Sequence, residues 1–316
     1  MRIVVFGTGP FCVPTLKSLL DSDHEVPAVV TRPIEDAGKR RKTLANPVRE
    51  TAVDANLVVL DPQTCNAGEF IEQLKSFEAD LFFVCDYGQI MSRDCLESAR
   101  LGGINLHGSL LPRYRGAAPI QWAIYNGDKE LGVSVIHMTP KMDAGPILAT
   151  EKKLFEQNQN SDEIELELSR IGIAAVRRAI QLLDAWDGNS SIGEKQDPSL
   201  ATPAPRIKKS DGKLDWNRTA IQLVNQIRAF TPWPTSFCQW KHGKQPLRLI
   251  VQKASVVNIE TNAPAGVIVA AEKNLLAIQT ANGALSIERI QPAGKKSMPI
   301  ADFLRGNQLT VGQTMD

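Results

Sequence analysis

At 316 residues, with 43% apolar and 22% charged side chains, the chain is long enough for two globular domains and too apolar to be mainly disordered. Its 22 glycines and 19 prolines follow no period, and no apolar run approaches the ~18 residues of a membrane span, which excludes collagen-like, low-complexity and transmembrane readings. The net charge of +1 hides an asymmetry: residues 209–316 carry 13 Lys and Arg against 7 Asp and Glu, which leaves the first 208 residues mildly acidic and hints at a polyanionic partner for the C-terminal third.

In chain order, Arg2–Phe6 reads as a strand and turns to Gly7 after one short apolar run. That start has neither the apolar length nor the cleavage site of a signal peptide, so a cytoplasmic location is expected. Pro14–Leu20 reads as a helix, Glu25–Thr31 as a strand, Pro47–Ala55 as a helix with Pro at its start, Leu57–Leu60 as a strand and Ala67–Ser76 as a helix. Asp80–Cys85 and Gly103–Leu106 are apolar enough to be buried parallel strands. Ala118–Tyr125 is a helix, Val133–Met138 and Ile147–Leu154 are strands, and Ser161–Trp186 is a long amphipathic helix. This alternation predicts an α/β fold, a Rossmann-like doubly wound, mostly parallel sheet over residues 1–188.

Residues 189–208 are rich in Gly, Asn, Ser, Pro and Lys and read as a linker. Beyond it, residues 209–316 hold one helix, Thr219–Ala229, and the short runs Ser236–Trp240, Leu247–Ala254, Gly266–Ala270, Leu275–Gln279 and Ala284–Ile290. Strands at that spacing predict a small antiparallel, OB-like barrel. The five cysteines (Cys12, Cys65, Cys85, Cys95, Cys238) are odd in number, lack a CxxC and read as reduced, packed thiols. The four histidines are scattered without ligand spacing, so no metal is expected.

Gly7-Thr8-Gly9 stands where a dinucleotide phosphate loop would stand. The third glycine of that motif is Cys12, Pro10 removes a backbone N–H, and Val30-Thr31-Arg32-Pro33 carries no acid for a ribose. Lys39, Arg40, Arg41 and Lys42 sit in a long loop between Pro33 and Pro47, either a solvated charged loop or a grip for a phosphate-rich partner.

The richest stretch runs from Gly102 to Pro119. Asn105 and His107 stand two apart on a strand, so both side chains point to one side. Ser109-Leu110-Leu111-Pro112 is an apolar loop suited to a flat heterocycle, and Arg113, Tyr114 and Arg115 add charge. Asp143 follows a later strand, and strand ends of a parallel sheet converge on one edge. Asn, His and Asp there form a triad without a nucleophile: the acid orients the imidazole, and the imidazolium and amide stabilise an oxyanion.

Asn105-Leu106-His107-Gly108-Ser109-Leu110-Leu111-Pro112, with Asp143 downstream, resembles the folate-dependent formyltransferases. Arg113–Trp122, Lys213–Trp216, Arg228–Pro234 and Gln291–Met298 are most similar to the members of that family that act on methionyl-tRNA, so the resemblance runs through nearly the whole chain. It implies 10-formyltetrahydrofolate as co-substrate, initiator methionyl-tRNA as partner and a monomer. It implies a catalytic set of Asn105, His107 and Asp143. Asp86, Tyr87 and Gly88 join Ser109, Leu110, Leu111 and Pro112 in the folate site. Lys39, Arg40, Arg41, Lys42, Lys208, Lys209, Lys295 and Lys296 are the expected tRNA contacts. A sugar-nucleotide formyltransferase is the nearest alternative. An NADP-dependent oxidoreductase and a non-catalytic binding protein are the alternatives outside the family's chemistry. Three segments depart from the family pattern: Gly7-Thr8-Gly9-Pro10-Phe11 replaces Gly-Thr-Pro-acid-Phe, Ala37-Gly38-Lys39-Arg40 replaces Ala-Gly-Arg-Gly, and Asp86-Tyr87-Gly88 replaces Ala-Tyr-Gly.

Overall fold

The structure, a computed structural model, describes residues 1–33, 46–242 and 245–316. Contacts divide the chain into two compact units. The first comprises Met1–Pro119, Glu130–Leu154 and Glu165–Pro205; the second comprises Ile120–Lys129, Phe155–Ile164 and Arg206–Asp316.

The first unit is built on seven strands: β1 (Ile3–Gly7), β2 (Ala28–Val30), β3 (Val58–Leu60), β4 (Leu81–Cys85), β5 (Gly103–His107), β6 (Glu130–His137) and β7 (Ile147–Leu154). Their order is β3-β2-β1-β4-β5-β6-β7. All five residues of β1 and of β4 are buried, as apolar strands covered on both faces must be. The first five strands run parallel, whereas β6 is antiparallel to β5 and β7 to β6. On the outer strand β7, Glu151, Lys152 and Lys153 place charges along an edge that would otherwise invite another strand.

Helices α1 (Val13–Leu20), α2 (Pro47–Asp54), α3 (Gly68–Lys75) and α4 (Arg93–Leu96) connect the parallel strands. The start of α2 follows local chemistry: Asn46 accepts the Arg49 N–H at 3.0 Å, and Pro47 fills a position that has no N–H to lose. Helix α5 (Pro119–Tyr125) follows the motif loop, and α6 (Ser161–Asp184) is the long helix expected from its apolar stripe. At four residues, α4 is too short for a periodic signal, and the sequence reading did not anticipate it.

The segment expected as a linker is a strap on the first unit. Glu194 and Ile147 exchange backbone hydrogen bonds, both at 2.8 Å. The Arg115 N–H donates to the Thr202 carbonyl, the Ala204 N–H to the Arg115 carbonyl, and Ala204 is fully buried. Its polar composition hid this, because these attachments are made by main-chain groups, which every residue carries.

The second unit is the expected small barrel. Strands β8 (Ser236–His242), β9 (Gln245–Val257), β10 (Ile268–Glu272), β11 (Leu275–Gln279) and β12 (Ala284–Pro292) pair antiparallel in the order β10-β11-β12-β9-β8, and β13 (Met298–Pro299) pairs with β12. Two outer strands remain, and the C-terminal residues join them: Met315 bridges Trp240 on β8, and Thr314 bridges Val267 just before β10. Gln239 and Asp316 exchange two backbone bonds at 2.7 and 2.8 Å on the same seam. Closure removes both free edges.

Helix α7 (Ala220–Ala229) opens with a capping box in which Thr219 and Gln222 each accept the other's N–H. It and α8 (Ile300–Arg305) add Leu223, Ile227 and Phe303 to a core with Leu249, Leu276 and Ile287. The two earlier pieces of this unit hold on through Tyr125, whose ring stacks on Phe230 at 5.5 Å, and through Ser161, which donates to the Thr231 carbonyl at 2.6 Å. All five cysteines are buried and unpaired as disulfides.

Candidate active site

Strand β5 ends in a polar cluster built from Asn105, His107 and Asp143. Its register places Asn105 between Val84 of β4 and Ile136 of β6. Asn105 and His107, two residues apart, project to the same side. His107 is buried at 6% exposure, and its Nε2 lies 2.8 Å from the Tyr114 carbonyl. A carbonyl can only accept, so that nitrogen carries the proton and donates it. The other nitrogen, Nδ1, faces Asp143 Oδ2 at 3.8 Å. An imidazolium can therefore offer a second donor on the Asp143 side. The Asn105 amide has no side-chain hydrogen bond among the described residues, which leaves it open to a ligand.

Asp143 reaches this cluster by a different route from the one its position suggested. The expected reason was that strand ends converge on one edge of a parallel sheet. Because β6 runs antiparallel, with His137 opposite Ile104 and Ser134 opposite His107, its carboxyl end lies beside the start of β5. The connection between β6 and β7 folds back to bring Asp143 to His107. Three contacts hold it there: the Gly116 N–H donates to Asp143 Oδ2 at 2.8 Å, and Gln196 Nε2 donates to the Asp143 and Gly145 carbonyls at 2.9 and 2.7 Å. Gly116 has φ of +126°, and a Cβ there would lie 2.6 Å from the Ala204 carbonyl oxygen, so only glycine fits.

Gln196 was missed in sequence because it lies in the expected linker. It is 6% exposed, and its Oε1 also accepts from Arg115 Nε and Nη2 at 3.1 and 2.6 Å. Ser134 was missed as well. Its hydroxyl accepts the Leu111 N–H at 3.0 Å and donates to the Ser109 carbonyl at 2.8 Å, latching the apolar loop to β6. A lone Ser inside the otherwise apolar run of β6 is the signal that could have found it.

The expected folate residues divide. Leu110 and Pro112 are partly exposed, and Leu110 rests on Gly132, where a Cβ would come within 2.5 Å of it. Leu111 and Ser109 are buried, and Ser109 Oγ donates to the Arg113 carbonyl at 2.7 Å. Tyr87 corrects the expectation: its ring is 1% exposed and packs edge-on against Phe6 at 5.3 Å, so it belongs to the core. What Tyr87 gives the edge is its carbonyl, which accepts from Arg32 Nε at 2.9 Å. Gly88 is exposed, and a Cβ there would overlap Arg32 Nη2.

Asp86 keeps a solvent-facing side while protein crowds it elsewhere. That desolvation raises its carboxyl above the ordinary range, and the opposing pull of His107 and Arg32 does not cancel it. At the first loop, Pro10–Cys12 forms a 3-10 turn before α1, and a Cβ on Gly7 would meet Cys12 Sγ at 2.6 Å. That packing, together with the missing Pro10 N–H, is unlike a phosphate cradle.

Of the expected nucleic-acid contacts, Lys39, Arg40, Arg41 and Lys42 lie outside the described residues. Lys208, Lys209, Lys295 and Lys296 are exposed on the second unit, and among the described residues none of their ammonium groups forms an ion pair; Lys208 meets Asp211 only through its backbone N–H, at 2.7 Å.

Comparison with known proteins accords with this geometry. The formyl transferase family matches residues 1–180, and the formyl transferase C-terminal domain matches residues 206–308. A methionyl-tRNA formyltransferase of Rhodopirellula baltica is 43% identical over 324 residues, spanning 100% of this chain and 96% of that protein. Another, from Hydrogenovibrio crunogenus, is 38% identical over 315 residues and spans 100% of this chain and 98% of its own. Among solved structures, an N-formyltransferase of Helicobacter canadensis, in complex with folinic acid and dTDP-3-aminofucose, shares the fold with a TM-score of 0.65 at 19% identity, covering 91% of this chain and 98% of that one. Matched in both its halves and along its whole length, the chain belongs to the formyl transferase family, in the branch of the methionyl-tRNA formyltransferases.

Proposed function

We propose that this enzyme transfers the formyl group of 10-formyltetrahydrofolate to the free α-amino group of initiator methionyl-tRNA, giving N-formylmethionyl-tRNA for translation initiation. The observation that carries this reading is the cluster at the end of β5: Asn105 with an open amide, and His107 held between the Tyr114 carbonyl and Asp143. It has donors for an oxyanion, and the serines nearest to it, Ser109 and Ser134, spend their hydroxyl protons on the Arg113 and Ser109 carbonyls, which suits direct attack by an amine.

The attacking nitrogen adds to the formyl carbon, and the tetrahedral oxyanion is stabilised by the Asn105 amide and by His107 through a protonated Nδ1, its Nε2–H being given to the Tyr114 carbonyl. Asp143, fixed by Gly116 and Gln196, sets the orientation of His107. Leu110, Pro112 and Gly88, with the main chain of Tyr87, line the folate side. On this reading residues 1–188 supply the chemistry and residues 209–316, with the adjoining Lys208, the tRNA contacts, through Lys208, Lys209, Lys295 and Lys296, with Lys39, Arg40, Arg41 and Lys42 at the acceptor end. The enzyme works in the cytoplasm, as a monomer and without a metal. Among the described residues no helix is long and apolar enough to cross a membrane.

The test is incubation with formyl-labelled 10-formyltetrahydrofolate and, in parallel, methionyl-tRNA or an amino-sugar nucleotide. Label transfer to the aminoacyl end of the tRNA is expected. Transfer to the sugar nucleotide alone would overturn the assignment.

A further inference from the structure

A second acid stands at the same edge. Asp86 follows β4 directly, one strand over from the strand that carries Asn105 and His107. The register pairs Val84 with Asn105, so Asp86 and His107 leave their strands at the same level. Its backbone is left-handed, with φ of +51°. Its carboxylate rests against Gly9, in the loop that follows β1, where a Cβ would lie 2.7 Å from Asp86 Oδ2. Two of the departures from the family pattern are thus in contact. The acid the family carries in its first loop is Pro10 here, and an acid stands at position 86 instead.

The acceptors of Asp86 are unspent. Among the described residues no N–H or O–H donates to its carboxylate, whereas Asp143 is committed to the Gly116 N–H. The charged groups that face Asp86 are Arg32, from the end of β2, and His107. Arg32 directs its Nε to the Tyr87 carbonyl. The first loop contributes only uncharged residues, Thr8, Gly9 and Pro10. An exposed carboxylate with open lone pairs, beside the group that stabilises the oxyanion, is built for a cationic donor. The substrate brings one: an α-amino group, whose ordinary pKa of about 7.7–8.0 is lowered in an ester, arrives in part as ammonium near neutral pH, and that fraction cannot attack until it loses a proton.

We propose that Asp86, seated by Gly9, receives the α-ammonium group of the aminoacyl ester and accepts its proton. This deepens the function proposed above and rests on it. An N–H bond of the ammonium breaks as an O–H bond forms on Asp86. The freed lone pair attacks the formyl carbon while the C=O π pair moves onto oxygen. A second proton passes from the attacking nitrogen to N10, the carbon–N10 bond breaks, and Asp86 returns its proton to water through its open side. The raised proton affinity of the crowded carboxyl fits this role.

The experiment is single-turnover formylation by Asp86→Asn and Gly9→Ala at saturating methionyl-tRNA and 10-formyltetrahydrofolate, across a pH range that spans the amine titration. Below the amine pKa, Asp86→Asn should slow the reaction by about 10²-fold; above it, where the amine arrives neutral, the two enzymes should converge to within about threefold. Gly9 has extended backbone at φ of −84° and ψ of 171°, so alanine is permitted there and only crowds the carboxylate. Gly9→Ala should reproduce the same pH-dependent loss, and the double variant should be little worse than the worse single one. A wild-type to variant ratio that stays flat with pH, or an effect confined to KM for the folate, overturns the proposal and makes Asp86 a folate contact. A wild-type enzyme inactive on methionyl-tRNA overturns the parent function instead.

Discussion

Gln196→Met removes the clasp behind the active site while keeping the length of the side chain. Four hydrogen bonds go: two from Nε2 to the Asp143 and Gly145 carbonyls, and two from the Arg115 guanidinium to Oε1. A neutral hydrogen bond nets about 1 kcal/mol and one to a charged group about 2 kcal/mol. Shared partners make these contributions less than additive, so unfolding free energy should fall by about 2–4 kcal/mol. The kinetic effect should also be large. Asp143 would keep its Gly116 bond but lose the clamp on its carbonyl, and a misplacement of about 1 Å costs up to about 10²-fold in rate. Urea denaturation followed by circular dichroism gives the first quantity, and single-turnover formylation gives the second. A loss below about 1 kcal/mol together with a rate within about threefold of wild type would refute the reasoning.

Asn105→Ala should lower kcat by about 10²–10³, the usual effect of losing one oxyanion donor, with tRNA affinity unchanged; a loss under about threefold removes Asn105 from the catalytic set. His107→Ala and Asp143→Ala should be strongly non-additive in kcat, and independent, multiplying losses would mean that Asp143 only shapes its loop. Replacing Lys295 and Lys296 by Ala should weaken tRNA binding and flatten its log–log salt dependence by about 0.7–0.9 per lost phosphate contact, measured by filter binding; an unchanged slope sinks their role. Asp80 tests pH linkage in the first unit. Burial pushes its carboxyl up, but the Arg2 N–H and the Arg100 guanidinium outweigh that and hold it below the ordinary range. Its stabilisation is therefore present above the ordinary carboxylate pKa and lost as pH falls through the lower folded value. Asp80→Asn should melt below wild type at pH 7 and converge with it in acid.

The parallel core was legible because β1, β4 and β5 are short apolar runs bounded by turn residues, a pattern few other elements share. Asn105 and His107 were legible because two polar residues at period two interrupt such a run. Strand direction is not written in hydropathy, so the reversal at β6 was invisible, and Asp143 was placed for a reason the topology does not supply. The strap from Glu194 to Ala204 was invisible for a related cause: half of its attachment is main-chain hydrogen bonds, which leave no side-chain signature, and the rest comes from Gln196 and Thr202, polar residues that look alike in a linker and in a clasp. Tyr87 misled because an aromatic beside a glycine at a strand end suits a pocket wall and a core equally well.

The two units are interleaved along the chain. It passes from one to the other five times, after residues 119, 129, 154, 164 and 205. A gene crossover at residue 205 would therefore hand over the barrel without the pieces Ile120–Lys129 and Phe155–Ile164, and leave Trp122 and Tyr125 without the Phe230 ring they pack on. The recipient would inherit a Phe230 ring stripped of its two aromatic neighbours, and the donor fragment would lose the ring that covers them. The apolar core of the barrel, from Leu214 to Met315, would cross intact, so the cost of such an exchange falls on the aromatic contacts at Phe230 rather than on the barrel itself.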